Sequence, residues 1–220
     1  MTTPNVPPQK KYGADEESLS EWLMLHKREV TWGVVAIAVV VGGLWFYERS
    51  QSLKAQRAET AYFQARQTAA AGNAPQSVSE LQKVATRYEG TPAGTQAAMT
   101  LAQALYEQKK YKEGIDALKR AESKASEDFR APIHVLEAAG YEELKDFVAA
   151  ADQYKRAAEV TRFPAEKDEY RADAARSYAA GGKVAEAKAI WTDLAKDESN
   201  PLAAEARVRL GELEAAPMKI

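Results

Sequence analysis

Two histidines, no cysteine and a scatter of acidic pairs are the groups from which this chain could build chemistry. His26 and His134 stand 108 residues apart in different segments, which leaves little for the paired imidazoles of a zinc site or the base of a catalytic triad. No H-x-x-x-H partner accompanies His134, so it reads as a packing or surface imidazole near the start of a helix. Without cysteine there is no thiolate ligand, no thiol nucleophile and no disulfide framework, a composition that tolerates an oxidising compartment. The clusters Asp15-Glu16-Glu17, Glu127-Asp128, Glu142-Glu143 and Asp197-Glu198 are expected in tails, turns or exposed faces. Solvated carboxylates there have no reason to divide into an acid and a base. Neither G-x-x-x-x-G-K-[ST] nor G-x-G-x-x-G occurs; Gly42-Gly43 lies in an apolar run and Gly181-Gly182 reads as a turn between helices, so nothing is placed to cradle phosphate. Tyr111, Tyr141, Phe147, Tyr154, Tyr178 and Trp191 fall at helix-packing positions and are expected in the core rather than around a cofactor. The sequence therefore predicts a non-enzyme with no catalytic residue, no cofactor, no metal ligand set and no small-molecule substrate.

Composition narrows the partners. The 220 residues are 28% charged and 45% hydrophobic, as in a folded protein. Thirty Lys and Arg against 32 Asp and Glu give a formal charge of -2, with no positive surplus to hold a phosphate backbone. Nucleic acid is excluded as a main partner on that ground.

The elements that must position any binding residue begin with Val30 to Tyr47, VTWGVVAIAVVVGGLWFY, eighteen residues without a charge. As a helix at ~1.5 Å per residue this run covers roughly 27 Å, close to the hydrocarbon thickness of a bilayer. Trp32 at one end and Trp45, Phe46 and Tyr47 at the other put amphipathic rings at both expected interfaces, where a buried core helix has no need of them. A signal peptide is the stronger rival, since Ser50-Gln51-Ser52 has small residues at the spacing of a cleavage site. A 29-residue, partly acidic leader argues for an uncleaved anchor. Lys10, Lys11, Lys27 and Arg28 before the run equal Arg49, Lys54, Arg57 and Arg66 after it; close to the run Lys27-Arg28 and His26 stand against Arg49 alone, and long domains cross largely regardless of charge. The expected topology is a single pass of a bacterial inner membrane, N-terminus in the cytoplasm and C-terminal domain in the periplasm. Residues 1–17, with three prolines and an acidic cluster, are expected to be disordered or ordered by a partner. Residues 18–29 are expected to form a juxtamembrane helix, opened by the capping-box spacing Ser18-Leu19-Ser20-Glu21 and carrying Trp22 at the interface.

From residue 51 onward, 40 of 170 positions are Ala, β-branched residues are sparse, and nothing alternates with period two. The fold class is all-α. Pro92, Pro132, Pro164 and Pro201, at intervals of 40, 32 and 37 residues, each stand before a helical pattern, where proline is tolerated in the first turn. Residue classes then recur in register. Leu101-Ala102, Leu105, Tyr111, Gly114-Ile115, Leu118 and Ala121 are followed by Ala138, Tyr141, Phe147, Ala150, Tyr154 and Ala157, then by Ala175, Tyr178, Val184, Ala187, Trp191 and Leu194, at offsets of 36 and 37. This resembles the tetratricopeptide repeat, departing from it at Leu105, Gly114 and Leu194. The boundaries that follow are a linking helix and degenerate first repeat over 48–90, repeats over 91–200, and a capping helix and tail over 201–220. Side chains that alternate with packing positions on the first helices, Gln103, Tyr106, Glu142 and Arg176, are the expected protein-binding residues.

The layout of tail, single span, linking helix and about three and a half repeats resembles the YfgM-like family, the ancillary subunit of the Sec translocon. That resemblance implies a periplasmic helical domain tethered beside the translocation channel that helps exported proteins reach chaperones. Its partners would be other proteins, integral membrane subunits and their periplasmic domains, together with the lipid bilayer. The alternative expectation is a structural accessory subunit of a large inner-membrane complex, respiratory or photosynthetic.

Overall fold

The computed structural model describes residues 22–215. The expected tail over 1–17, the capping-box residues 18–21 and the last residues 216–220 lie outside them. The chain divides into two compact units, Met1–Ser52 and Leu53–Ile220, and every regular element among the described residues is helical.

In the first unit, residues 22–25 are helical, His26 forms a turn, and α1 (Lys27–Ala70) begins directly after it. Backbone bonds from the His26 amide to Trp22 and from the Val30 amide to His26 carry the i to i−4 pattern through the turn. No break in this bonding therefore separates residues 22–26 from the apolar run. The Trp22 and His26 rings stack at 4.9 Å. Trp22, Trp32, Trp45, Phe46 and Tyr47 are all exposed, and no residue in the apolar window of α1 is buried. Among the described residues, α1 is the one helix long and apolar enough to cross a membrane.

The second unit takes the end of α1 and adds α2 (Ala74–Arg87), α3 (Pro92–Glu107), α4 (Tyr111–Glu122), α5 (Glu127–Glu143), α6 (Phe147–Val160), α7 (Pro164–Ala180), α8 (Val184–Lys196) and α9 (Ala203–Glu214). From α2 onward each helix packs on the next in sequence, and α3 also meets α5. Neighbour-to-neighbour contact of this kind is what stacked repeats produce.

What repeats most strictly is the turn inside each helical hairpin. Gly72, Lys109, Lys145 and Gly182 have φ of 82°, 61°, 61° and 75°, and they recur at offsets of 37, 36 and 37. At each, the next amide (Asn73, Lys110, Asp146, Lys183) donates back to Thr68, Leu105, Tyr141 or Tyr178, and the left-handed residue's own amide donates to Ala69, Tyr106, Glu142 or Ala179. This pair of bonds satisfies the carbonyls orphaned at the end of a first helix and turns the chain tightly into the second. The connections between hairpins vary instead. Thr91 caps α3 through its hydroxyl to the Gly94 amide at 3.1 Å, with Pro92 at the first position, and Pro164 does likewise in α7.

Pro132 corrects the expectation that each proline precedes its helix. It lies inside α5, which starts at Glu127 after Ser126. The acidic residues Glu127 and Asp128 suit a helix N-terminus and extend α5 upstream of the proline. Pro201 precedes α9 by a turn rather than opening it.

The core is built from alanine where helices must approach and from larger residues between them. Ala102, Ala138 and Ala175 are fully buried at equivalent positions. Leu81, Leu101 and Leu105 pack with Ala65 and Ala97, and Trp191 and Leu194 close the far end against Tyr178 and Ala206. Of the expected packing residues, Tyr111, Ala121, Tyr141 and Phe147 are half-buried and Val184 is exposed.

Lysine at φ 61° strains a side-chain-bearing residue where glycine would not. Lys109→Gly and Lys145→Gly are each expected to stabilise the full-length protein by about 0.5–1 kcal/mol, read from the urea unfolding midpoint in detergent, and Gly182→Ala to destabilise it. Loss of stability in both lysine variants would refute the role given to these turns.

Candidate functional site

The four expected binding residues sit on first helices, and the structure gives them unequal surroundings. Gln103 on α3 is exposed. Tyr106 is half-buried, and its ring lies over two glycines of neighbouring helices. A Cβ built at Gly114 would stand 2.4 Å from its Cε1, and one at Gly140 would stand 2.4 Å from its hydroxyl oxygen. That hydroxyl donates to the Leu136 carbonyl at 3.0 Å, and burial, then the charge of Glu137, push the phenol well above its ordinary acidity range. Gly114, a departure from the repeat pattern in the sequence, is thus the space that Tyr106 fills.

Glu142 and Arg176 are also committed within the domain. Glu142 accepts from the Ser177 hydroxyl at 2.8 Å and from the Tyr154 hydroxyl at 3.4 Å, joining α5, α6 and α7. Arg176 makes a forked contact with Glu205 at 2.8 and 2.9 Å, reaches Asp173 at 2.5 Å, and lies 5.7 Å from the Trp191 ring centroid. Bidentate pairing of this sort fixes α7 against α9. Tyr106, Glu142 and Arg176 thus each tie one helix to another through their polar atoms, which commits part of each side chain's bonding capacity inside the domain. Burial works to raise the Glu205 carboxyl, and the hydrogen bonds and charge of Arg176 and then Arg209 overcome it, leaving the group below its usual value.

A second polar cluster lies where α4, α5 and α6 meet. Glu137 is 1% exposed and His134 3% exposed. The imidazole Nδ1 is 3.0 Å from Gln153 Oε1 and 3.8 Å from Glu137 Oε2, and Nε2 is 3.4 Å from Glu122 Oε1. Burial lowers the histidine's basicity, but its bonding to Glu137 and the charge of Glu122 prevail and raise it. Glu137 Oε1 is buried with no hydrogen-bond partner. Lys119 is near enough for its charge to be felt, yet its amine donates to the Tyr141 hydroxyl at 2.8 Å. Glu137 belongs to none of the acidic clusters expected in tails, turns or exposed faces; within those clusters, Glu142 is half-buried. One signal for the polar cluster stood in the sequence: His134 and Glu137 are three apart, hence on one helix face. Glu122 is on another helix and Gln153 on a third, and no spacing announces them.

A family model for a tetratricopeptide repeat-like domain matches residues 20–215. Among solved structures, the nearly identical TPR-like repeats of a Podosopora anserina protein named for the kinesin light chain superpose with a TM-score of 0.53 at 16% identity, covering 71% of this chain and 85% of that one. A thermophilic TPR protein from Thermus thermophilus gives 0.45 at 21% identity, covering 84% and 95%. Such identities speak to the fold alone. No curated protein matches the chain.

Two outcomes test this reading of the site residues. Gly140→Ala is expected to cost about 1–3 kcal/mol by forcing Tyr106 aside, and adding Tyr106→Leu should recover part of the loss. Strict additivity in that double-mutant cycle would show that the two positions do not oppose each other. For Glu205, a depressed folded-state value means stability that is present above the ordinary carboxylate range and lost as pH falls through it. Acid titration of unfolding should therefore show a loss of about 0.5–1 kcal/mol in the wild type that Glu205→Gln lacks. Identical acid profiles would remove the ion pair from the account.

Proposed function

The chain belongs to the tetratricopeptide repeat-like domain family, and from that premise we propose that it is a membrane-anchored scaffold holding other proteins at the outer face of a bacterial inner membrane. The observation that carries this reading is an apolar window in α1 with no buried residue, in a chain that also carries a domain of stacked helical hairpins. An eighteen-residue apolar run left bare would expose far more continuous hydrophobic surface than a soluble protein carries. In lipid, the helix satisfies every backbone group internally and the aromatic residues at its ends find the interfaces.

The repeat domain brings surface rather than reaction chemistry. The positive residues Lys27 and Arg28 before the run, against Arg49 alone just after it, support an N-terminus in the cytoplasm and a domain in the periplasm. The resemblance of the layout to the YfgM-like family supports a place beside the Sec translocon, passing exported chains to chaperones. Of the proposed contact residues, Gln103, Tyr106, Glu142 and Arg176, Gln103 is the exposed one on α3.

The protein is expected to stay in the pellet after alkaline carbonate extraction of membranes, while a chain beginning at Leu53 should be released. N-terminal sequencing of the mature protein should begin upstream of Ser50. Gentle solubilisation and capture through a C-terminal tag should recover Sec channel subunits and chaperones at substoichiometric levels. Recovery of a fixed stoichiometric set of cofactor-bearing subunits would replace the translocon reading with that of a structural subunit.

A further inference from the structure

We propose that Glu122, His134 and Glu137 form a binding site for a divalent transition-metal ion of the zinc type. Each offers one ligand atom, and these atoms lie within 4.8 Å of one another. Tetrahedral zinc bonds of about 2.0–2.2 Å bring ligand atoms to roughly 3.3 Å apart. Nε2 and Glu122 Oε1 already stand at 3.4 Å, so completing the set means bringing Glu137, whose Oε2 is 3.8 Å from Nδ1, towards the same ion. Glu122 ends α4, and its side chain, 35% exposed, gives an ion a way in.

Three observations favour a cation over a merely structural cluster. First, Glu137 Oε1 is buried and unpartnered, and a carboxylate oxygen left bare in the interior carries a desolvation cost that a bound cation would offset. Second, two carboxylates and a neutral imidazole carry two negative charges, which a divalent ion neutralises. Third, Gln153 Oε1 stands 3.0 Å from Nδ1. A carbonyl there accepts the Nδ1 proton, fixes the tautomer and leaves Nε2, the nitrogen that faces Glu122, to bind metal; ligating histidines are usually held in this way. Solvent admitted past Glu122 fills the fourth position. One imidazole with two carboxylates suits zinc and its neighbours, and it is too poor in oxygen donors for calcium or magnesium. Since His134 and Glu137 lie on α5 and Glu122 on α4, the ion would pin one hairpin to the next.

The test uses the full-length protein in detergent, stripped with chelator and titrated with Zn²⁺ by calorimetry and with Co²⁺ by visible absorption. The expected result is one saturable site per chain, a tetrahedral Co²⁺ spectrum and a rise in Tm with Zn²⁺. His134→Gln should abolish these at unchanged helical circular dichroism, and Gln153→Leu should weaken binding by about 10–100-fold. Should His134→Gln fail to fold, Glu122→Gln, altered at a partly exposed side chain, takes its place and should lose the tetrahedral spectrum. No saturable binding in the wild type would overturn the proposal, as would Zn²⁺ affinity unchanged in His134→Gln or Glu122→Gln.

Discussion

Each hairpin of the helical domain is closed by one residue in the left-handed region, and the geometry of everything after it follows from that turn. The amides of Gly72, Lys109, Lys145 and Gly182 and of the residues after them return to the last carbonyls of the first helix. The second helix then starts at a fixed offset and angle. Because that offset is constant, residues 36 or 37 positions apart meet equivalent neighbours. Alanine can recur at Ala102, Ala138 and Ala175 wherever two helices must come closest. Two of the turns use lysine and accept the strain, which indicates that the packing on either side is strong enough to hold them.

Between hairpins the connections are free to differ, and the polar side chains do the locating. Tyr106 reaches across Gly114 and Gly140 to the Leu136 carbonyl. Glu142 gathers hydroxyls from α6 and α7, and Arg176 ties α7 to α9 beside Trp191. Tyr178 likewise donates to Asp152 at 2.5 Å. Non-directional burial would let stacked amphipathic helices slide, whereas hydrogen bonds with one good geometry select a register. The cluster at His134 and Glu137 departs from this pattern. Its oxygen at Glu137 is buried without a partner, and an unmet polar group is the mark of a place where something besides packing is at work.

On the proposed reading as a membrane anchor, the apolar part of α1 answers to a different solvent from the helical domain. Valine-rich helix is a modest choice in water, where branched side chains lose rotamer freedom. In hydrocarbon the backbone has no alternative to bonding within itself. The helical domain instead takes an alanine-rich composition, whose small side chains cost little entropy and bury tightly.

Fold class, the apolar segment and the repeat were legible in the sequence because each depends on residue type at a regular interval. An uncharged eighteen-residue run needs no tertiary information, and neither does a small-aromatic-small pattern that returns in register. The exposed Gln103 was placed by the same helix-face arithmetic. Pro132 misled because a proline marks where a helix tolerates a missing amide, while Ser126 and the acids behind it decide where the helix begins. Tyr106, Glu142 and Arg176 could not be told from surface residues by spacing, since their partners Gly140, Ser177 and Glu205 lie on other helices 29 to 35 positions away. Only the stacking of hairpins decided which groups these side chains meet, and only that stacking set Glu122 against His134 and Glu137. A helix's own periodicity reports which face is apolar; which polar groups that face will meet depends on the helix laid against it.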